Sequence, residues 1–202
     1  MSDKIERALS LDPVVSQAAF REIAASGSRS EREWAARNHC TPTDALAQLA
    51  RDAEPMVRWL VAGNTSTPLE VLSALARDKD SMVKRGVAEN PRVPPELLAQ
   101  LARDPNPRVR ESVAKNRSAP PELLAQLARD PNPWVRESVA KNPSASPELL
   151  DLLARDPNPY VRSQVAWNPN TPVATVGQLA AEPHPKVRAR ARSNLELLQE
   201  NS

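Results

Sequence analysis

Asn38, Asn64, Asn90, Asn116, Asn142, Asn168 and Asn194 are spaced by a constant 26 residues. Leu49, Leu75, Leu101, Leu127, Leu153 and Leu179 keep the same step, with Ile23 one period earlier. A fixed period of this size means that one short structural motif is copied and that each copy stacks on the next. Seven repeats tile the chain, at 13–38, 39–64, 65–90, 91–116, 117–142, 143–168 and 169–194. Ile5, Glu6 and Leu9 match the second half of a repeat, so 1–12 is expected to form an N-terminal half-repeat cap. Val187, Ala191, Leu195 and Leu198 share one helical stripe, which predicts that the last helix runs on through 195–202 as a C-terminal cap.

The repeat 91–116 serves as template. Pro94, Pro95 and Glu96 suit the first turn of a helix, where proline lacks no needed N–H and a carboxylate faces the positive end of the helix dipole. Leu97, Leu98, Leu101 and Ala102 then fall at helical spacing. Asp104-Pro105-Asn106-Pro107 ends that helix and starts another, with Asn106 the expected N-cap. Val109, Val113 and Ala114 make the second stripe. The 21 prolines and only 4 glycines of the chain suit many short helices separated by proline turns. Neither helix can bury its stripe alone. The expected fold is all-α, a solenoid of about seven two-helix repeats.

The run L-L-x-x-L-A-x-D-P-x-P-x-V-R-x-x-V-A-x-N, nearly unbroken from Leu97 to Asn116, resembles the leucine-rich repeat variant family. The resemblance covers about nine-tenths of the chain and is clearest between 65 and 168. It implies a right-handed superhelix without β-sheet, in which one helix of each repeat is a 3₁₀ helix; the residues leave open which one. The D-P-x-P-x-V-R segment is also similar to the turn of HEAT repeats. The founding type of the family carries an N-terminal iron–sulfur module held by several cysteines. Cys40 is the single cysteine here, so that module and its redox role are not expected.

Two charged columns run through the array. Arg32, Arg58, Lys84, Arg110, Arg136, Arg162 and Arg188 lie on the inner arc of the second helices. Asp52, Asp78, Asp104, Asp130, Asp156 and Glu182 form the matching acidic column. A cation on a buried arc needs a partner, so Arg110 is expected to pair with Asp104 or with the equivalent Asp of the adjoining repeat. The Asn column is expected to satisfy loop amides where helices end. Glu96, Ala99, Gln100 and Arg103 make a monotonous outer wall on the first helix.

The outer arc of the second helix varies instead. One column reads Ser30, Met56, Met82, Arg108, Trp134, Tyr160 and Lys186. Its neighbours add Trp34, Trp59, Leu60, Arg85, Lys115, Lys141, Trp167 and Arg190, so all four tryptophans and the one tyrosine share this arc. Trp, Tyr, Met and Arg are enriched at interface hot spots. Met56, Trp59, Met82, Arg85, Arg108, Trp134, Tyr160 and Trp167 are therefore the candidate contacts to a protein or peptide partner. Trp34 is expected to pack within the irregular first repeat.

Chemistry is not expected. His39 and His184 are far apart in turns, neither has a second ligand at metal spacing, and four scattered glycines form no phosphate loop. The sequence thus predicts no catalytic residue, metal or cofactor. Nucleic acid is the alternative ligand, through Arg85, Arg108, Lys115, Lys141, Lys186 and Arg190. Against it, the net charge is only +2, and repeats 39–64 and 143–168, each with two cations against three carboxylates, interrupt the positive stripe. The N-terminus has no apolar signal core and no apolar run reaches membrane-spanning length, so a soluble cytoplasmic protein is expected, with no membrane partner.

Overall fold

The computed structural model describes residues 2–10 and 12–200, the side chains of 199 and 200 excepted. It divides into two compact halves, Met1–Leu97 and Leu98–Ser202, the division falling within one helix. Among the described residues every element is an α-helix. The N-terminal half holds α1 (Asp3–Ala8), α2 (Pro13–Ser26), α3 (Arg29–Arg37), α4 (Thr43–Leu49), α5 (Pro55–Gly63), α6 (Leu69–Leu75) and α7 (Ser81–Glu89). After α8 (Pro95–Leu101) come α9 (Pro107–Lys115), α10 (Pro121–Leu127), α11 (Pro133–Lys141), α12 (Pro147–Leu153), α13 (Pro159–Trp167), α14 (Val173–Leu179) and α15 (Pro185–Glu200).

From α4 onward the seven-residue first helices start every 26 residues, and from α3 onward so do the second helices. The first helices are α-helical as well. The 3₁₀ geometry implied by the family resemblance appears only as bonds at helix ends, such as Asn142 N–H to Val139 O after a second helix and, after a first helix, Arg129 N–H to Gln126 O and Asp130 N–H to Leu127 O. The Asp-Pro segment then follows at once and leaves no room for more α-turns. Asn106, Asn132 and Asn158 cap the second helices, each side chain accepting from the N–H two residues on. At the chain end α15 is 16 residues long, so the last helix does run on past the repeat; residues 201 and 202 of the expected cap, like residues 1 and 11 of the N-terminal one, lie outside the described residues.

The core is a set of columns. In the N-terminal half Leu46, Leu72, Val57, Val83, Val61 and Val87 are wholly buried. In the C-terminal half Leu98, Leu124, Leu150, Val109, Val135, Val161, Val113, Val139 and Val165 are equally so. Each such side chain contributes about 1.5–3 kcal/mol on leaving water. Ala36, Ala62, Ala114, Ala140 and Ala166 are also fully buried. Their small size lets the second helices approach one another, α3 against α5 and α5 against α7 in one half, α9, α11, α13 and α15 in succession in the other.

Two polar ladders tie repeat to repeat. Arg58 donates from Nε and Nη2 to both oxygens of Asp78, at 2.7 and 3.0 Å, and from Nη1 to Asp52 O at 2.8 Å. Arg110 does the same with Asp130 and Asp104 O, and Arg136 with Asp156 and Asp130 O. Arg32 holds Asp52, and Arg162 holds Glu182. The partner carboxylate thus belongs to the following repeat, 20 residues ahead; the repeat's own Asp offers only its carbonyl. Burial, the largest single influence, pushes the Asp52 and Asp78 carboxyls up, but the guanidinium hydrogen bond, a backbone N–H and the attraction of nearby cations together outweigh it and hold both below the usual range.

The Asn ladder also spans repeats. Asn64 donates from Nδ2 to Ala36 O and Asn38 O of the preceding repeat, both at 2.9 Å, while its Oδ1 accepts the Ser66 N–H. Asn90, Asn142 and Asn168 repeat the pattern. The expected local role is present, as the Oδ1 bond, but the amide also satisfies carbonyls that the preceding helix end leaves without intrahelical donors.

Candidate functional site

In the C-terminal half, the outer arcs of α9, α11, α13 and α15 form one face. Residues seven apart on a helix lie two turns apart on the same side, about 10.5 Å along the axis. The face therefore has two rows. Arg108, Trp134, Tyr160 and Lys186 stand at the N-terminal ends of the helices; Lys115, Lys141 and Trp167 stand at the C-terminal ends of the first three. Every member of both rows is exposed, Trp134 at 57 %, Tyr160 at 52 % and Trp167 at 50 %. At one end of the first row two members meet, Lys186 Nζ sitting 4.9 Å from the centre of the Tyr160 ring. His184 lies edge-on to the same ring at 6.5 Å, so it is not simply a solvated turn residue.

Between the rows the side chains lie lower, some of them short and buried, others long but only half exposed. Ser112, Ser138 and Ser163 are buried. Across them runs a hydrogen-bonded chain, Gln164 Nε2 donating to Glu137 and Arg190 Nη1 donating to Gln164 Oε1 and Ser163 O. Arg190, a candidate cation in the sequence, is thus partly committed within the floor. A cleft of about 250 Å³ opens between α9 and α11, lined by Lys115, Arg117, Ser138, Lys141, Asn142 and Pro143. Lys115 shares the carboxylate of Glu111, whereas Arg117 and Lys141 have no ion-pair partner among the described residues.

The N-terminal half uses the same columns differently. Trp34 stacks on Phe20 with ring centres 5.4 Å apart, as expected for the irregular first repeat. Leu60 is buried, and Met56, Trp59, Met82 and Arg85 are each half-buried. Trp59 lies over Gly86: a Cβ there would come within 2.7 Å of Trp59 Cδ1 and 3.0 Å of Trp59 O. Gly63, in contrast, has nothing within 4 Å of where its Cβ would be. Both glycines line a cleft of about 300 Å³ with Arg37, His39, Trp59, Leu60, Asn64 and Glu89.

A cleft of about 610 Å³ lies elsewhere in the C-terminal half. It is lined by Asp130, Arg136 and Asp156 of the ladder, by exposed Leu152, Arg129 and Arg155 and by Asp151; of its arginines Arg136 is held by Asp156. Cys40 is exposed, and the His39 ring shares a hydrogen bond with Thr65 Oγ1. Among the described residues no three His, Cys, Asp or Glu side chains come together as ligands. The residues present therefore do not fit the iron–sulfur cluster of the family's founding type. No described helix is long and apolar enough to cross a membrane.

The sequence model of the leucine-rich repeat variant domain matches residues 84–137 and 111–166. The solved structure of a leucine-rich repeat variant with a repetitive motif is similar at 27% identity and a TM-score of 0.65, over 95% of this chain and 80% of that one. A designed armadillo repeat protein in complex with the peptide (KR)4 is similar at 17% identity and a TM-score of 0.39, over 96% and 97% of the two chains. That degree of likeness carries no argument about ligands. No curated protein matches the chain. Residues 84–166 thus match the leucine-rich repeat variant model, and the helical repeats of the chain resemble that family.

Proposed function

We propose that the chain is a non-enzymatic scaffold that binds a protein or peptide partner on the outer face of its second helices. The observation that carries this is the exposure of Trp134, Tyr160 and Trp167 together on α11 and α13. An aromatic side chain held half in water contributes less to stacking than the fully buried core columns, whereas aromatic anchors buried by a partner supply much of the energy of protein interfaces. Arg108 is the polar neighbour of Trp134 in the row. Met56, Trp59, Met82 and Arg85 would extend the surface in the N-terminal half, with less area each.

Nucleic acid is the second reading, favoured by the exposure of Arg108, Lys115, Lys141 and Lys186. Its cations are partly committed: Arg85 pairs with Glu89, Lys115 with Glu111, and Arg190 lies in the floor. The test is photo-crosslinking in host extract from a benzoylphenylalanine placed at Trp134, with the same group at Gln126 on the outer wall as control. Adducts specific to position 134, destroyed by protease and untouched by nuclease, are expected. Equal labelling from both positions, or adducts destroyed by nuclease, would defeat the reading.

A further inference from the structure

Resting on that reading, we infer that the occupant of the C-terminal face is an acidic, extended segment, with a carboxylate in the Lys115–Arg117–Lys141 cleft and an apolar side chain against Trp134. Three observations point to it. The first is charge. The cleft is lined by three cations and no carboxylate, and two of those cations have no ion-pair partner among the described residues. The two carboxylates nearest to it on the face are engaged, Glu111 by Lys115 and Glu137 by the Gln164 amide. The rows themselves hold Arg108, Lys115, Lys141 and Lys186, and no acid.

The second observation is the relief of the face. Two rows of exposed side chains flank a lower floor of buried Ser112, Ser138 and Ser163 and half-buried Glu111, Glu137, Gln164 and Arg190. The rows are about 10.5 Å apart by helix geometry. The side chains of the rows occupy part of that spacing, so the trough left between them admits an extended backbone and is narrower than an α-helix, which measures about 10–12 Å across with its side chains. The third is register. Successive side chains of an extended chain point to opposite sides, so along the trough residues an odd number of positions apart face the Trp134 row and the Lys141 row. An apolar residue on the indole and an acid three positions away meet both. A cation cluster favours carboxylates, and the aromatic neighbours supply an apolar contact that a bare phosphate backbone would not use.

The experiment uses the whole chain and three fluorescein-labelled probes: a dodecapeptide of Leu-Ser-Ser-Glu three times over, the same peptide with Lys for Glu, and a twelve-nucleotide oligothymidylate. Fluorescence anisotropy is read at low and at moderate salt. The acidic peptide is expected to bind at least tenfold more tightly than the lysine peptide. Lys141→Glu and Arg117→Ser should each weaken it several-fold, and Trp134→Ser about tenfold, with circular dichroism and melting unchanged because all three side chains are exposed. Tighter binding of the lysine peptide overturns the proposal, as does an acidic affinity indifferent to Lys141→Glu. Tighter binding of oligothymidylate with a steep salt slope also overturns it, in favour of nucleic acid. If no probe binds, the acidic occupant is wrong; adducts from position 134 then tell whether the face itself still binds protein.

Discussion

Trp59 and Trp134 both stand on the outer arc of a second helix, yet their surroundings differ. Trp59 is half-buried above Gly86, in a place where a Cβ would clash with it. Trp134 is 57 % exposed, and the position following its row, one repeat back, is an ordinary arginine, Arg108. One indole is matched by a deletion on the neighbouring helix; the other is matched by nothing in its own half. The pair shows that residue type alone does not identify an interface in a repeat protein. Compensation on the next helix marks packing, and its absence marks a side chain free to meet a partner.

The largest expected effects lie in the ladder, which both regions share and which sets the scale for the comparison. Arg58→Ala in one half and Arg110→Ala in the other each leave a buried carboxylate unpaired, Asp78 and Asp130. Each should cost about 3–5 kcal/mol in denaturant melts, since removing one partner strands the other. Equal losses in the two halves would confirm that the scaffold is uniform beneath its differing faces; an unchanged midpoint for either would sink the structural role of the ladder. The pH dependence follows in sign. The Asp52 and Asp78 carboxyls are held below their usual range, so their contribution is complete above about pH 4 and is lost as pH falls further through the folded values. Wild-type melting should drop below about pH 4, and the drop should be shallower in Arg58→Ala.

How much of this was legible in the sequence depends on the period itself. Columns of Arg and Asp announce a pair, but in an array of period 26 an offset of six back and one of twenty ahead describe the same columns. Only the fold decides that Arg110 reaches Asp130 while taking just the carbonyl of Asp104. The same ambiguity hid the reach of Asn64 to Ala36 O and Asn38 O behind its local bond to Ser66. Helix placement and core columns were readable because they depend on local spacing alone. The packing of Trp59 had a readable signal that the column pattern masked: Gly86 stands where later repeats carry Ser112 and Ser138.

The next effect tests that signal. Gly86→Ala brings a methyl group to within 2.7 Å of Trp59 Cδ1 and about as close to backbone, and should cost about 1–3 kcal/mol, as overpacking does. In the background of Trp59→Ser the same change should cost much less, because the indole that it strikes is gone. An additive double mutant would show that Trp59 and Gly86 do not compensate and would remove the contrast with Trp134. Gly63→Ala has the opposite sign. Its site is open and helical, so alanine should stabilise by about 0.5–1 kcal/mol through the unfolded chain.

The smallest expected effect on stability is the most telling. Trp134→Arg gives α11 the residue that α9 carries at the equivalent position, with the rest of the segment 133–141 already identical to 107–115. The backbone, the Asn132 cap and the ladder bond of Arg136 to Asp156 are untouched. Melting should shift by less than about 0.5 kcal/mol, the range for exposed substitutions free of special contacts. Adducts from a benzoylphenylalanine at the neighbouring Tyr160 should nevertheless fall at least tenfold, because the indole supplies apolar area that a guanidinium does not. Loss of stability without loss of binding would place Trp134 with Trp59, as a packing residue, and the two regions would no longer differ.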